Sequence, residues 1–190
     1  MKRYWIYAGL LMSISVGAFA LPQAQSGNVK SNHLVNEAHR FYSQGNDREA
    51  IKHLNKALKI DADNDEAFLA LGEIYAAQDQ LGKAEKNYRK ALKLKPNDSR
   101  IYNSLATLAM RMGEPERALQ YLMTAIQKDP ENATAHYNLA DFALASKQYE
   151  IAFNFYRKVL ALDPDYEPAK AKLAKLASLV KASQDSREGG

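Results

Sequence analysis

The sequence predicts an all-α fold, an α-solenoid of four helix pairs closed by a single C-terminal helix. Three observations predict it. The first is a repeat of 34 residues. Sliding the chain by that interval aligns Ala50, Ala84, Ala118 and Ala152; Leu54, Tyr88, Leu122 and Tyr156; and Ala57, Ala91, Ala125 and Val159. It also aligns Leu71, Leu105, Leu139 and Leu173, and a small-residue column of Ala38, Gly72, Ala106, Ala140 and Ala174. The second is helical spacing inside each unit: Phe68, Leu71, Gly72 and Tyr75, then Ala84, Tyr88, Ala91 and Leu92. The third is punctuation. Pro96, Pro130 and Pro164 lack an amide donor and stop the second helix, and Asn64, Asp98 and Asn132 suit the N-cap of the next first helix. A helix pair leaves an apolar face open, and the following pair covers it.

The elements follow in order. Residues 1–20 read as a signal peptide: Lys2 and Arg3, an uncharged apolar stretch from Trp5, then Ala18-Phe19-Ala20 as a small-x-small site. Cleavage is expected between Ala20 and Leu21. The alternative is an uncleaved membrane anchor, for which the apolar stretch sits at the short end of a bilayer span. Residues 21–30, polar with Pro, Gln, Ser and Gly, are expected to be a flexible lead-in. The repeat domain runs over 31–182, as units 31–64, 65–98, 99–132 and 133–166 and a cap at 167–182. In the second unit the helices are placed at about 65–78 and 81–94. Gly72 and Ala84 let the two backbones approach, while Phe68, Tyr75 and Tyr88 fill the space beside them. The cap packs through Leu173, Ala174 and Ala177 and turns its lysines to water. Residues 183–190, with nothing to bury, are expected to be disordered.

These columns resemble the tetratricopeptide (TPR) family, over nearly the whole chain after residue 30. The resemblance implies a right-handed superhelix and a ligand site on its concave face. That face is lined by the second, fifth, ninth, twelfth and thirteenth positions of each first helix. The peptide-binding groove implied here comprises Val35, His39 and Tyr42; Leu69 and Glu73; Arg100, Asn103, Thr107, Met110 and Arg111; and Tyr137, Asp141 and Leu144. Val35, Tyr42, Leu69, Met110, Tyr137 and Leu144 are expected to be exposed apolar contacts, and Arg100, Asn103 and Arg111 to hydrogen-bond a peptide or acidic side chains. The first unit departs from the pattern with Glu37 in place of Leu and Ala62 in place of Pro, and the fourth has His136 at an aromatic position. The Lys/Asn clamp of chaperone-binding members is missing, since its places hold Val35 and His39, then Leu69 and Glu73.

Little points to chemistry. The 190-residue chain has no cysteine, which excludes disulfides, thiolate metal sites, a cysteine nucleophile and a lipoprotein anchor. The net charge is +4, of which Lys2 and Arg3 supply two, too little for a nucleic-acid face. His33 and His39 lie six apart, off a common helix face, and His136 reads as a packing residue, so no metal or other cofactor is expected. No nucleophile-elbow or phosphate-loop pattern occurs. Glu66, Glu73 and Asp141 are not placed as an acid–base pair. Lys83, Lys86, Lys90 and Lys93 read as a solvated convex stripe.

The expected function is therefore a non-enzymatic periplasmic or secreted scaffold that binds a peptide segment of an envelope-assembly protein, with a homo-oligomer open. The chain is similar in architecture to pilus-assembly TPR proteins, though it lacks the lipoprotein cysteine many of them carry. Two alternatives stand beside it. One is an adaptor tethered to the inner membrane by residues 5–21 and facing the periplasm. The other is an accessory subunit of a cell-wall-acting enzyme, with Tyr42, Tyr137 and the lysines contacting glycan.

Overall fold

The computed structural model describes residues 21–188 of the chain, with side chains from 27 to 177. The described residues form nine α-helices: α1 (Leu21–Ser43), α2 (Asp47–Ile60), α3 (Asp65–Ala77), α4 (Leu81–Leu94), α5 (Ser99–Arg111), α6 (Pro115–Lys128), α7 (Ala133–Ala145), α8 (Tyr149–Leu162) and α9 (Glu167–Glu188). Two compact units part between Ala70 and Leu71, inside α3. The expected signal peptide and the Ala20 side of its cleavage point lie outside the described residues.

The repeat columns are the core. Ala50, Ala84, Ala118 and Ala152 are all 0% exposed, and Leu54, Tyr88, Leu122 and Tyr156 are at most 3% exposed. In each place a side chain no larger than a methyl allows close helix contact, and the large residue one turn on fills the space beside it. Gly72 takes this furthest: a Cβ there would lie 2.5 Å from Tyr88 Cδ1.

Asn64, Asp98 and Asn132 cap the helices that follow them, accepting from the backbone N–H groups of Ala67, Arg100 and Ala135 at 2.9–3.0 Å. The two asparagines do more. In the first unit the Asn64 amide donates to Ser31 Oγ (2.9 Å) and Asn32 Oδ1 (2.8 Å), and Ser31 Oγ donates to the Ala57 carbonyl. In the second, the Asn132 amide donates to Ser99 Oγ at 2.8 Å. Asn132 thus ties the start of α7 to the start of α5, and Asn64 ties the start of α3 to the middle of α1, one repeat away.

The turns inside the pairs share one conformation. Gly45, Asp79, Gly113 and Lys147, spaced by 34, are the residues with positive φ among the described residues, at 75°, 58°, 75° and 58°. In the third turn Gly113 N–H donates to the Met110 carbonyl and Glu114 N–H to that of Ala109; the fourth repeats this with Lys147, Gln148, Leu144 and Ala143. That is a Schellman closure, in which the left-handed residue lets two orphan carbonyls find donors.

The chain ends differ from the sequence expectation. Residues 21–30 belong to α1 rather than to a flexible lead-in. Pro22 falls in the first turn, where its missing donor costs nothing, and at Gly27 the helix runs beside the end of α2, since a Cβ there would lie 3.9 Å from Ile60. At the other end α9 continues to Glu188, across the segment expected to be disordered from 183. After Pro168 in its first turn, no Gly or Pro occurs before Gly189, and its Gln, Arg and Glu are good helix formers. The cap also packs through different residues. Ala169 (0% exposed) and Leu176 (2%) are buried, Leu173 is half-buried, and Ala174 and Ala177 are exposed. The small-residue column faces the second helix of its own pair, and among the described residues α9 has none.

Candidate functional site

Four of the expected groove residues, Asn103, Thr107, Met110 and Asp141, meet on the α5 and α7 surfaces of the second unit. Asn103 and Thr107 lie on α5, and Asn138 of α7 donates to Asn103 Oδ1 at 2.7 Å and to Thr107 Oγ1 at 3.5 Å. Thr107, Met110 and Asp141 line a cavity of about 200 Å³ with Ala106, Leu122, Asn138 and Phe142. Ala106 and Leu122, each 1% exposed, form its floor. Met110, 40% exposed, stands at its mouth.

One repeat further on, the same register is filled from α9. Lys172 occupies the position of Asn138, and its ammonium donates to both Asp141 carboxylate oxygens at 2.5 and 2.6 Å. It also sits 4.8 Å from the centre of the Tyr137 ring. Tyr156 donates its hydroxyl to Asp141 as well. Tyr137 packs against Tyr156 and Tyr166, with ring centres 5.7 and 5.1 Å away. Burial works against the Lys172 charge, but the Asp141 carboxylate overrides it and holds the ammonium above the ordinary lysine range. Burial, reinforced by Asp141, pushes the Tyr156 hydroxyl far above the ordinary tyrosine value, so it stays a donor.

The groove charges on α5 are likewise held within the protein. Arg100 pairs with Asp98 at 2.6 Å. Arg111 donates to the Ala76 carbonyl at 2.5 Å and pairs with Asp79 at 2.9 Å. The sequence reading assigned both arginines to the ligand, but each completes a helix end instead, one at the start of α5 and one at the end of α3.

Two other expectations need correction. Val35 and Leu69 are 4% and 5% exposed, so neither is an open contact. Tyr42, Tyr137 and Leu144 are half-buried, and of the six apolar groove residues only Met110 is exposed. Apolar side chains at the fifth position are drawn into the helix layer because leaving them in water costs about 25 cal/mol per Å². His39 and Glu73 are exposed.

The histidines have local roles. His136 Nε2 bonds the Pro130 carbonyl at 2.9 Å, just as Tyr102 OH bonds that of Pro96 at 3.0 Å one repeat earlier. A carbonyl only accepts, so Nε2 carries the proton, and buried Nδ1 has no partner. Glu37 lies 3.7 Å from both His33 and His53. Among the described residues no group of three His, Asp or Glu is arranged to hold a metal. None of their helices is long and apolar enough to cross a membrane.

Asn138, Phe142 and Lys172 were missed in the sequence reading. The signal for two of them was present in the sixth-position column, Asn36, Ala70, Ser104, Asn138 and Lys172. From the second repeat onward its two longest polar side chains, Asn138 and Lys172, are the two that reach back to the preceding first helix.

Residues 31–170 match the family model described as the cytochrome c-type biogenesis protein H TPR domain. Among solved structures, the chain is 28% identical to PilW, a widely conserved type IV pilus biogenesis factor, over 78% of this chain and 69% of that one, with a TM-score of 0.71. It is 24% identical to PilF of Pseudomonas aeruginosa, over 86% and 74% of the two chains, with a TM-score of 0.76. YrrB, a TPR protein with an unusual peptide-binding site, is 20% identical over 85% and 84%, with a TM-score of 0.58. Among curated proteins none matches the chain.

Proposed function

Because the chain belongs to the family of the cytochrome c-type biogenesis protein H TPR domain, we propose that it is a non-enzymatic scaffold of the bacterial cell envelope. It holds a peptide segment of an assembly partner against the first-helix face, acting in the periplasm after removal of residues 1–20. The observation that carries this reading is the cavity between α5 and α7, where Thr107, Met110, Asn138 and Asp141 converge on an apolar floor. Ligand sites have this character: mostly apolar, with a few placed polar groups. The likeness to PilW, a pilus biogenesis factor, supports an envelope role. The family description, naming cytochrome c-type biogenesis, supports the same compartment. No pair of side chains in the site is disposed for acid–base work, because Asp141 is engaged by both Lys172 and Tyr156.

The test is site-specific photo-crosslinking in the native host. A photoreactive residue at Met110 should trap a discrete partner, and one at Lys86 on α4 should not. Trapping at Lys86 alone would move binding to the other face and overturn the proposal. Intact-mass analysis of the exported protein should give a chain starting at Leu21; a full-length mass in the membrane fraction would replace the periplasmic reading with the tethered one.

A further inference from the structure

Resting on that groove reading, we infer that the α5–α7 site selects an uncharged, extended segment and seats one aliphatic or thioether side chain of it in the cavity. Three observations converge. First, the charges around the site are already spent. Arg100 is paired with Asp98, Arg111 with Asp79, and Asp141 with Lys172 at 2.5 Å. A charged ligand group would have to break one of these pairs or enter without a counter-ion, and desolvation then opposes it. Second, the cavity of about 200 Å³ is smaller than the roughly 300–1,000 Å³ of a small-molecule pocket, and Ala106, Met110, Leu122 and Phe142 make its wall apolar. It accommodates a side chain rather than a whole metabolite.

Third, the polar rim matches a peptide bond. Asn138 donates one amide hydrogen bond to Asn103 Oδ1. Whichever way the two amides are flipped, the pair leaves one NH₂ and one carbonyl oxygen unengaged beside the cavity. One donor and one acceptor are what the C=O and N–H of a single extended residue require. Thr107 is occupied by the Asn103 carbonyl and fixes the rim in place. The same register one repeat later holds Lys172 on Asp141, which offers no such pair, so the recognition is confined to α5 and α7.

Three probes test it on the full mature chain, with NMR of the Met110 methyl and of the Asn103 and Asn138 side-chain amides. They are the N-acetyl N-methylamides of leucine, aspartate and lysine, which share one backbone and differ in side chain. The leucine probe should shift all three signals and bind at least tenfold tighter than either charged probe. Met110→Glu, at an exposed position that leaves the fold intact, should abolish that response. Equal or stronger binding of a charged probe overturns the inference, and so does the absence of shifts from leucine at high millimolar concentration. If Met110 traps a partner in the crosslinking experiment while the leucine probe fails, the groove stands and this chemistry falls. If the leucine probe seats and no partner is trapped, the chemistry stands and the scaffold reading falls.

Discussion

Lys147 is held at φ 58°, in the turn where Gly45 and Gly113 adopt 75°. The left-handed conformation costs a residue with a Cβ about 1–2 kcal/mol. Replacing Lys147 by glycine removes that cost, but the unfolded chain gains freedom worth roughly 0.5–1 kcal/mol. The net expectation for Lys147→Gly is therefore a stabilisation of about 0.5–1 kcal/mol. Lys147 is exposed, so little packing changes. Gly113→Ala is the reciprocal experiment. A Cβ at Gly113 would meet nothing within 4 Å, so its effect is purely conformational and should be a loss of similar size. In a chain of this length 1 kcal/mol moves the midpoint by about 2–4 °C. Thermal and urea denaturation followed by circular dichroism should show the two variants displaced in opposite directions, with the double variant near the parent. A destabilised Lys147→Gly, or an unaffected Gly113→Ala, would refute the argument that backbone conformation sets the cost at this turn.

Ala118→Leu should lower stability by about 1–3 kcal/mol in the same assay, because Ala118 is 0% exposed at a helix contact and cannot admit a larger side chain. Asn132→Ala should cost about 0.5–2 kcal/mol as a lost cap; Asn132→Asp keeps the acceptor for Ala135 but loses the donor to Ser99, and should fall between parent and Ala. Alkaline titration should destabilise the chain. The Tyr156 pKa is raised on folding, so its contribution is complete below the ordinary tyrosine value of about 10 and is lost as pH rises above it. Tyr156→Phe should flatten the stability curve above about pH 10, and an unchanged slope would count against the Asp141 contact.

The sequence made the core legible because a repeat converts packing into columns. Ala84, Ala118 and Ala152, or Leu122 and Tyr156, each mark the same contact again, and the structure buries them all. The caps at Asn64, Asp98 and Asn132 were legible for a similar reason: a side chain reaching an amide two or three residues on is a local event. The candidate site was legible in position but not in state. Helix periodicity places Arg100 and Arg111 on α5 and Asp141 on α7, but it cannot say what already holds them.

By itself, the sequence determined the fold class, the register of the four pairs, and their stops and caps. All of these follow from spacing along one helix or from identity 34 residues apart. Only the tertiary structure decided that Val35 and Leu69 are covered, that Arg111 closes the end of α3, that Lys172 occupies Asp141, and that α5 and α7 enclose a cavity. Those facts depend on which side chains from neighbouring helices arrive at the same point, and neighbouring first helices meet through residues 31–35 apart in the chain. A column shows what is repeated. These contacts are made by residues that differ from one repeat to the next, and so they emerge only when the helices are set side by side.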